Sequence, residues 1–594
     1  MVLMNLLHGT KNMRILFHKI SYLLLDSKKQ IRNLLIIFIF GSLFEVLSLA
    51  LIGPYVALIS GQPITEGALS SLMESLGIKD SINLIFYFSF IIISVYTFKA
   101  LLGILINRSI IKFTANHQIK LRNFLMQSYQ SLPYETFMQR NSSEYIFNMQ
   151  ALVPQFTQKI LLNGIMATSA IFSSFCILCF LAWYNLPMFL VLVSVIALTI
   201  WMYDQFFRKR MVFFGKKSNK AGQKMTKSIQ EGVEGLKEIR ILKAEQHFFR
   251  NFANQSENYA FNYSASTIIQ TSARFVMELL MIVFFTSVVI LASLGNMQSS
   301  LFSTLAVFGV ASLKLIPSMN ILSITMNNLR FSEDGVDRLY KDFSALKGLT
   351  FSATKELTLP QENFESISLK GVCYKYPKTD EDVLKNINID IKSGDCVGVI
   401  GHSGSGKTTL VDLLLGLLEP HTGKIYFNDQ ELKDSLQQLR ENVVYLPQEV
   451  FMFDDTLLRN IAVGQDIEDI DENSVIKALK DSRLYEFTES LPEKLNTLIG
   501  ERGVKLSGGQ KQRVALARAF YLSRSVIILD ESTSALDTNT EQEINSQISN
   551  LRGKLTQIII AHRHSTLSHC DFIIKLENGE IVSRGTPAEI LNLD

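Results

Sequence analysis

The chain has 594 residues, 47% of them hydrophobic, and a formal net charge of +3. This length exceeds one ordinary domain, and the nearly balanced charge gives no support to a nucleic-acid partner. Five cysteines are too few and too scattered to build a disulfide framework.

The N-terminal residues 1–30 mix apolar and basic side chains without a small-residue cleavage site, so we predict no signal peptide. The stretch from Met13 to Leu25 has the pattern of an amphipathic helix that lies on a membrane surface. Met13 is also an alternative start, which would leave residues 1–12 without structure. A cytoplasmic segment with an interfacial helix is therefore expected here.

Six long apolar runs follow, and each is close to the ~20 residues that cross a bilayer. They lie at 34–59, 82–106, 159–182, 186–206, 270–294 and 301–325. Lysines and arginines cluster after the second and fourth runs, whereas the alternate loops are poor in positive charge. The positive-inside rule therefore places both chain ends in the cytoplasm.

The polar stretches at 111–153 and 207–262 are too long for simple loops. Their helix-forming composition predicts that spanning helices continue into the cytosol, with turns at Ser131–Phe137 and Gly232–Ala244. On the opposite side, residues 69–76 have helical spacing of apolar residues, which fits a short interfacial helix or an ordinary loop equally well.

Five charged residues fall inside the apolar runs, where each costs roughly 2.5–3.5 kcal/mol at the bilayer centre. They are Glu45, Lys99, Arg274, Glu278 and Lys314. The three cations lie toward the cytoplasmic ends of their runs, which predicts a cavity for an anionic headgroup from the inner leaflet. Internal pairing of Arg274 with Glu278, and extension of Lys99 toward the interface, are the structural alternatives.

From residue 367 onward, short strands alternate with helices, as in a parallel α/β nucleotide-binding domain. The predicted strand Cys396–Ile400 leads into a P-loop, and a helix at Thr408–Leu418 follows it. The loop consists of Gly401, His402, Ser403, Gly404, Ser405, Gly406, Lys407, Thr408 and Thr409. Its glycines let backbone N–H groups close around phosphate oxygens, while Lys407 reaches the outer phosphates and Thr408 can hold Mg²⁺.

A second glycine-rich turn precedes a basic helix, whose N-terminus offers another anion site. The turn is Leu506, Ser507, Gly508, Gly509 and Gln510. Farther on, the strand Val526–Asp530 ends in a carboxylate suited to support Mg²⁺, and Glu531 is placed to orient or deprotonate the attacking water. His562 follows the predicted strand Gln557–Ala561 and is expected near the γ-phosphate.

Taken in chain order, these motifs resemble the complete set of an ABC ATPase. Tyr376 matches the aromatic residue that stacks on adenine, and residues 401–409 match the Walker A loop. Gln448 matches the Q-loop, and Leu506–Gln510 matches the signature motif. Asp530 and Glu531 match the Walker B pair, Ser534–Asp537 matches the D-loop, and His562 matches the switch histidine. The resemblance implies ATP and Mg²⁺, with the metal held by Thr408, Gln448 and Asp530.

The same resemblance implies an exporter-type half-transporter. Its fold would be an α-helical six-span transmembrane domain at 31–345, a linker at 346–366 and an α/β ATPase domain at 367–594. In this family ATP is held between the Walker A loop of one copy and the signature of another. A homodimer, with the second copy of the chain as partner, is therefore expected.

The membrane half is also similar to bacterial flippases that move lipid-linked oligosaccharides. The similar pieces are Tyr134–Glu144, Arg274 with Glu278, Lys314–Asn320, and Glu45 followed by Pro54. This likeness implies that an anionic lipid-linked (pyrophosphate) glycan is moved from the inner to the outer leaflet of a bacterial cytoplasmic (inner) membrane. Lys314 replaces an arginine of that family, which removes bidentate phosphate contacts and leaves the cargo open.

Two other functions remain open at this point. One is export of peptides, other lipids or drugs by the same architecture. The other is a nucleotide-regulated membrane protein that does not pump. Glu531 and His562 argue against the second, because a switch that need not hydrolyse ATP need not keep both.

Overall fold

A computed structural model of the protein describes most of the chain. The described residues are 14–24, 27–52, 55–56, 81–294, 301–346, 363–377, 379–530, 546, 549, 552–561 and 563–591. The short helix predicted at 69–76 and most of the linker predicted at 346–366 lie outside these ranges. The chain separates into two compact units, one formed by 1–132 and 140–351 and the other by 133–139 and 352–594.

The first unit is helical, in agreement with the predicted fold class. Its helices are α1 (14–23), α2 (Lys28–Ala50), α3 (Ser81–Gln130), α5 (Ser142–Phe147), α6 (Asn163–Tyr184), α7 (Leu186–Glu234), α8 (Leu236–Ile241), α9 (Glu245–Leu294), α10 (Leu301–Phe331) and α11 (Glu333–Leu346). Between α5 and α6, wider π-helical turns cover Asn148–Leu152 and Gln155–Leu162.

Three helices of this unit are far longer than a bilayer is thick. Helices α3, α7 and α9 contain 50, 49 and 50 residues, which at 1.5 Å per residue is about 75 Å. A hydrocarbon core of ~30 Å accounts for less than half of that length. The predicted continuation of the spanning helices beyond the apolar runs is therefore confirmed.

Within the described ranges, six helical stretches are long and apolar enough to cross a membrane, and each overlaps one predicted run. They are Lys29–Ala50, Ile85–Gln130, Ser142–Tyr184, Leu186–Tyr203, Glu245–Ser287 and Val307–Phe331. The protein is thus an integral membrane protein. Between α6 and α7 the reversal takes one residue: Asn185 is extended and its side chain accepts a hydrogen bond from the N–H of Met188 at 3.2 Å, while Pro187 lies in the first helical turn.

The N-terminal helix α1 is amphipathic as predicted. Leu16, Ile20 and Leu23 are buried at four- and three-residue spacing, whereas Ile15 and Phe17 are exposed. The buried set packs with apolar residues of α3 such as Leu121 and Leu125. The apolar face of α1 is therefore covered by the protein itself.

The second unit contains two sheets and the short helix α4 (Tyr134–Met138), which the chain contributes from between α3 and α5. The strands are β1 (Ser366–Tyr374), β2 (Leu384–Lys392), β3 (Cys396–Ile400), β4 (Thr422–Phe427), β5 (Gln430–Glu431), β6 (Val443–Leu446), β7 (Val526–Asp530), β8 (Thr556–Ile560), β9 (Phe572–Glu577) and β10 (Glu580–Gly585). An antiparallel sheet has the order β2-β1-β4-β5, and the larger sheet has the order β10-β9-β3-β8-β7-β6.

The second unit also contains several helices. They are α12 (Lys407–Leu414), α13 (Leu432–Asn442), α14 (Leu457–Ile461), α15 (Glu472–Asp481), α16 (Tyr485–Ser490), α17 (Gly508–Leu522), α18 (His564–Leu567) and α19 (Pro587–Leu591). Apolar residues of α12 such as Leu410 and Leu413 pack on buried strand residues such as Val397 and Ile558. The interior of the sheet therefore holds the P-loop strand and its helix rigidly together.

Two predicted boundaries are wrong. The helix after the P-loop was expected to reach Leu418, but it ends at Leu414 because Gly416 has a left-handed φ of +62°. The N–H groups of Leu417 and Leu418 turn back to the carbonyl of Asp412, which closes the helix. The strand expected at Gln557–Ala561 runs one residue earlier, at Thr556–Ile560.

Candidate functional site

The P-loop begins where β3 ends. β3 pairs in parallel with β8 on one side and with β9 on the other, and its first four residues are buried. In such sheets the loops at the carboxyl ends of parallel strands form the binding crevice. The loop at 401–406 therefore opens at the edge where α/β proteins bind ligands.

The glycines of the loop make a cradle that disfavours side chains, through crowding at Gly401 and Gly406 and through backbone conformation at Gly404 and Gly406. Gly404 and Gly406 have φ angles of +82° and +101°, which side chains disfavour. A Cβ on Gly401 would lie 2.3 Å from the carbonyl oxygen of Leu576, and one on Gly406 would lie 2.7 Å from the side chain of Leu384. The hydroxyl of Ser405 is buried without a hydrogen-bond partner in the described part of the chain. Close backbone approach and an unsatisfied polar atom both suit an oxygen-rich ligand such as phosphate.

Lys407 and the two threonines after it start helix α12. The Lys407 ammonium donates to the carbonyls of Gly401 and His402 at 2.8 and 3.0 Å, so it folds back over the loop. Thr408 is exposed, whereas Thr409 is buried and its hydroxyl lies 3.1 Å from that of Tyr376. The structure thus offers Thr408 to a ligand and uses Thr409 to hold Tyr376.

Tyr376 belongs to a chain of contacts that the sequence analysis did not predict. Its ring lies edge-on to that of Tyr374, with centroids 5.2 Å apart. The Tyr374 hydroxyl donates to Glu135 of helix α4 at 3.4 Å; burial and the Glu135 carboxylate raise the pKa of Tyr374. The predicted adenine-stacking residue is therefore linked through two side chains to the turn that leaves the membrane unit.

Asp530 lies at the end of the buried strand β7, as predicted. Its carboxylate accepts a hydrogen bond from the hydroxyl of Tyr445 at 3.1 Å, and burial together with Asp530 raises the pKa of Tyr445. Burial and the charge of Asp530 also raise the pKa of Asp412 to about 6. Two acids at one end of the sheet create a field that favours a cation.

The predicted metal ligands form a consistent donor set. Thr408 and Gln448 are exposed and Asp530 lies at the end of β7. All three provide oxygen donors, the type that Mg²⁺ prefers. The residues present therefore fit this ion, while the exposed His402 and Ser403 complete the outer side of the loop.

The signature turn is organised by a reciprocal pair of hydrogen bonds. Ser507 accepts from the N–H of Gln510 at 3.3 Å, and the Gln510 side chain accepts from the N–H of Ser507 at 2.8 Å. This capping box fixes the start of the 15-residue helix α17. Ser507 and Gly508 are exposed and Gly509 half-buried, so the helix N-terminus presents its N–H groups outward.

Arg518, which sequence reasoning missed, joins the signature helix to the segment after Gln448. Its guanidinium donates to the carbonyl of Phe451 at 2.8 Å and to the side chain of Asn460 at 3.0 Å. Burial lowers the pKa of Arg518 to about 10. The sequence signal for Arg518 is an arginine on an otherwise apolar helix face, about two turns after the signature motif.

Glu531, His562 and the D-loop residues Ser534–Asp537 lie outside the described residues. Their roles rest on the sequence alone.

In the membrane unit, Glu45 of α2 is the centre of a polar cluster. Its carboxylate lies 3.1 Å from the ammonium of Lys99 and accepts a hydrogen bond from the hydroxyl of Ser173. Lys99 also donates to Ser48 at 3.2 Å. A cavity of about 200 Å³ adjoins Glu45 and Lys99, and Lys314 is close enough to act electrostatically on Lys99.

The second predicted group of charges is also paired. Arg274 donates to Glu278, one helical turn farther along α9, at 2.7 Å, with 63% and 39% of the two side chains exposed. Glu45, Lys99 and Lys314 thus lie in one region of the membrane unit. Lys99 pairs with the carboxylate of Glu45, and Arg274 pairs with that of Glu278. Pairing of Arg274 with Glu278 was the alternative stated above.

Comparison with known families assigns both halves of the chain. Residues 33–313 match the family of ABC transporter transmembrane regions, and residues 384–534 match the ABC transporter family. The solved structure of a bacterial Atm1-family ABC exporter with ATP bound has the same fold: the TM-score is 0.78 over 96% of each chain, at 20% sequence identity.

Several relatives are named ATP-dependent lipid A-core flippase. That of Coxiella burnetii is 29% identical over 514 residues, 85% of each chain. That of Thiobacillus denitrificans is 27% identical over 83% of this chain and 86% of the relative, and that of Francisella tularensis subsp. tularensis is 30% identical over 69% and 67%. The chain is therefore an ABC transporter of the exporter type, which couples ATP hydrolysis to translocation across the membrane.

Proposed function

We propose that this ABC exporter is a flippase that moves a phosphorylated, lipid-linked glycan from the inner to the outer leaflet of a bacterial cytoplasmic membrane. The observation that carries the proposal is its similarity, along 85% of its length, to a lipid A-core flippase. The charged residues inside the membrane spans add support, because such residues mark substrate pathways. Both a lipid A-like and a pyrophosphate-linked glycan share the required chemistry, a phosphorylated sugar on a lipid.

At the nucleotide site we assign the roles of Tyr376, the P-loop and Lys407 from their geometry, and those of Glu531 and His562 from the sequence alone. Tyr376 would stack on adenine, the backbone of 401–406 would cradle the phosphates, and Lys407 would exchange its loop carbonyls for phosphate oxygens. Glu531 would orient or deprotonate the attacking water, and His562 would contact the γ-phosphate. Tyr445 holds the Asp530 carboxylate in position from the neighbouring strand β6.

Magnesium would be held by Thr408, Gln448 and Asp530, where it supplies positive charge that stabilises the transferring phosphoryl group. Asp412 is proposed to tune this site without coordinating the ion. Its partial protonation near pH 6 limits the negative charge that gathers around Asp530.

We propose further that the working unit is a homodimer. The exposed signature turn of one copy would complete the site formed by the P-loop of the other. Each unit also presents apolar surface to solvent: Leu236, Ile241 and Leu242 at the tip helix α8, and Phe451 with Phe453, whose rings meet edge-on at 5.2 Å. Patches of this kind mark protein contacts, and the second copy is the partner that would cover them.

Inside the membrane, Lys314 and Arg274 are proposed to recognise the anionic part of the cargo. Arg274 exposes most of its side chain and can exchange Glu278 for a phosphate. Lys99 would change partners less readily, because Glu45 and Ser48 both hold it.

One observation favours a second function, export of a neutral or zwitterionic amphiphile. Two of the three membrane cations, Lys99 and Arg274, already have carboxylate partners. A cavity whose charges cancel would suit such a cargo as well as an anionic lipid.

The test is ATPase and flipping activity of the protein in proteoliposomes. The panel comprises lipid A, a polyprenyl-pyrophosphate-linked glycan, phosphatidylglycerol, phosphatidylethanolamine and an apolar peptide. Lys314→Ala and Arg274→Ala are expected to abolish stimulation by the phosphorylated glycolipids while basal hydrolysis persists. Arg250→Ala is the matched control, since Arg250 is an exposed cation of the same helix α9.

Strong stimulation by the peptide or the neutral lipid, unchanged in both variants, would favour the second function. Stimulation by every anionic lipid, with or without a sugar, would mean that the cations recognise negative charge alone. The proposal that the cargo is a glycan would then be wrong.

A further inference from the structure

The helix that leads into the third membrane span is widened just before it enters the apolar run. The N–H of Val153 donates to the carbonyl of Asn148, five residues earlier, and Pro154 next to it has no N–H to donate. Wider turns then continue over Gln155–Leu162. Such π-helical turns are rare and often occur at functional sites.

The widened segment forms one wall of a cavity of about 340 Å³, which also touches α7, α9 and α10. Its lining positions are 150–151, 154–155 and 158–159, so they recur every four residues. A regular α-helix would rotate by about 40° over each such interval. Three successive turns of this segment therefore direct the same face at the cavity.

Lys159 supplies the positive charge of this cavity. Its ammonium lies 4.5 Å from the ring centre of Tyr263 and 4.6 Å from that of Phe331. Across the residues that the structure describes, no carboxylate lies within ion-pair distance of it and no hydrogen bond to it is formed. Aromatic faces attract a cation but supply no counter-charge, so the Lys159 ammonium has no anionic partner among the described residues.

The remaining lining is rich in amides and rings and contains no acid among the described residues. The Gln155 side-chain nitrogen is buried without a hydrogen-bond partner there, and the amide of Asn219 lies close by. Tyr259 and Tyr263 stack at 6.0 Å beside these amides. The cavity thus combines one cation, the unsatisfied amide donor of Gln155 and flat apolar faces, while the Asn219 amide donates to Asp334 at 3.3 Å.

The cavity lies at the level of lipid headgroups. Lys159 stands at the first position of the predicted run 159–182, Tyr263 seven residues before the run 270–294 and Phe331 six residues beyond the run 301–325. At 1.5 Å per residue these rings lie about 10 Å outside the apolar runs. The polar layer on each side of the hydrocarbon core is about 5–8 Å thick. Lys159 therefore lies at the inner edge of this layer and the two rings lie at its outer edge, on the side that the predicted orientation assigns to the cytoplasm.

We propose that this cavity, which we call the Lys159 cavity, binds a phosphorylated sugar at the headgroup level of the cytoplasmic leaflet. The ammonium would meet the phosphate, the amides the sugar hydroxyls, and the aromatic faces the apolar face of the sugar ring. The proposal rests on the flippase function for its ligand. None of the residues of the Glu45 cluster lines this cavity, so it would serve as a separate loading site.

The test measures equilibrium binding to the purified full-length protein in nanodiscs. One probe is free N-acetylglucosamine 1-phosphate, another is polyprenyl-pyrophosphoryl N-acetylglucosamine in the bilayer, and phosphatidylglycerol is the anionic lipid without a sugar. Lys159→Met is expected to weaken binding of both sugar probes at least tenfold, and Gln155→Leu several-fold. Lys159→Arg should stay within threefold of the unmodified chain.

Lys220→Met is the matched control, because Lys220 is an exposed cation on the neighbouring helix α7 and does not line the cavity. It should leave binding unchanged. Protection of Lys159 from acetylation by the sugar probes, mapped by mass spectrometry, gives a second readout if Lys159→Met does not fold. Phosphatidylglycerol should give no such protection.

The outcomes separate this inference from the flippase proposal. If neither sugar probe binds or protects Lys159 while lipid-linked glycan still stimulates ATP hydrolysis, the Lys159 cavity is wrong and the flippase stands. If both probes bind through Lys159 but no lipid is flipped, the cavity stands and the flippase fails. If free N-acetylglucosamine 1-phosphate binds but the lipid-linked sugar does not, the site is supported and its ligand is soluble. If phosphatidylglycerol protects Lys159 as well as the sugar probes do, the site does not require a sugar.

Discussion

One acid in each compact unit, Asp342 and Asp412, shows opposite kinds of neighbour. In the membrane unit, Asp342 of α11 accepts hydrogen bonds from Arg140 at 2.8 Å, from Asn148 at 2.8 Å and from Tyr129 at 3.0 Å. In the ATP-binding unit, Asp412 lies near a second acid, Asp530, which together with burial raises the pKa of Asp412 to about 6. One acid is fully satisfied, and the other is held near a like charge.

This difference separates a structural acid from a functional one. A buried carboxylate with a cation and two donors stabilises the fold only as long as all partners remain. Two neighbouring carboxylates destabilise the fold until a cation arrives, which is the condition that a metal-dependent site requires. Removal of each acid should therefore change stability in opposite directions.

The largest effect is expected for Asp342→Ala. It would leave the Arg140 guanidinium, the Asn148 amide and the Tyr129 hydroxyl without their shared acceptor. Loss of one partner of a buried ion pair costs about 3 kcal/mol of unfolding free energy at the low end of the usual range. That low end applies because Arg140 keeps 38% of its side chain in solvent. Thermal unfolding of the detergent-solubilised protein measures the loss.

Asp337→Ala is the control for this variant. Asp337 lies on the same helix as Asp342 and forms an ion pair of 2.6 Å with Lys19, but its side chain is 41% exposed. Exposed pairs contribute about 1 kcal/mol or less. Equal losses in the two variants would mean that burial does not set the contribution of Asp342.

The contacts of Asp342 also show which features a sequence can reveal. Asp342 lies 202 positions from Arg140, and Glu135 lies 239 positions from Tyr374. Neither pair leaves a local pattern, because the partners meet only when the chain has folded. The P-loop is different: strand, glycines, lysine and helix are contiguous from 396 to 414, so backbone geometry alone implies the cradle.

The membrane charges fall between these cases. Their presence in apolar runs predicts that they matter, since isolated charges there are costly. Their partners depend on which faces of neighbouring helices meet. Lys99 contacts Glu45 and Ser48 of α2, and predicting this contact would require the orientation of both helices about their axes. Only the Arg274–Glu278 pair, on one helix at four-residue spacing, was accessible from the sequence.

The widened turns at 148–162 had no clear signal beyond Pro154, and Lys159 was assigned only as part of an apolar run. A lysine at the edge of a span is commonly expected to reach for the interface. The structure instead encloses its ammonium between two rings, both contributed by other helices. Packing between helices, which sequence periodicity does not encode, decides this placement.

A smaller effect is expected for the Glu45–Lys99 pair, and a double-mutant cycle measures it. Glu45→Gln leaves the Lys99 ammonium without its carboxylate, and Lys99→Met leaves the Glu45 carboxylate without its cation. Each should lower the unfolding free energy by about 2 kcal/mol. A coupling energy of about 2 kcal/mol would leave the double variant no less stable than either single variant, in place of the loss of about 4 kcal/mol that independent sites would give.

The Arg274–Glu278 pair provides the reference cycle. It joins residues one turn apart on a single helix, and pairs at this spacing have coupling energies of about 0.5 kcal/mol. A coupling of the Glu45–Lys99 pair no larger than this would show that the polar cluster is solvated and does not organise the membrane unit.

The smallest effect concerns Asp412 and carries the opposite sign. A folded-state pKa of about 6, above the usual 3.8, means that the folded protein binds the proton more tightly than the unfolded chain. The contribution of Asp412 to stability is therefore fully present below about pH 4 and is lost as the pH rises through about 6.

An asparagine side chain does not titrate, so Asp412→Asn should stabilise the Mg²⁺-free protein by about 1 kcal/mol at pH 8, after allowance for solvent screening. The advantage should shrink as the pH falls from 8 to 5. Thermal midpoints of the full-length protein in EDTA at several pH values measure it, with Asp380→Asn as the exposed control. A stabilisation that stays constant across this pH range would come from a source other than the charge of Asp412, and the contrast between the two buried acids would then be lost.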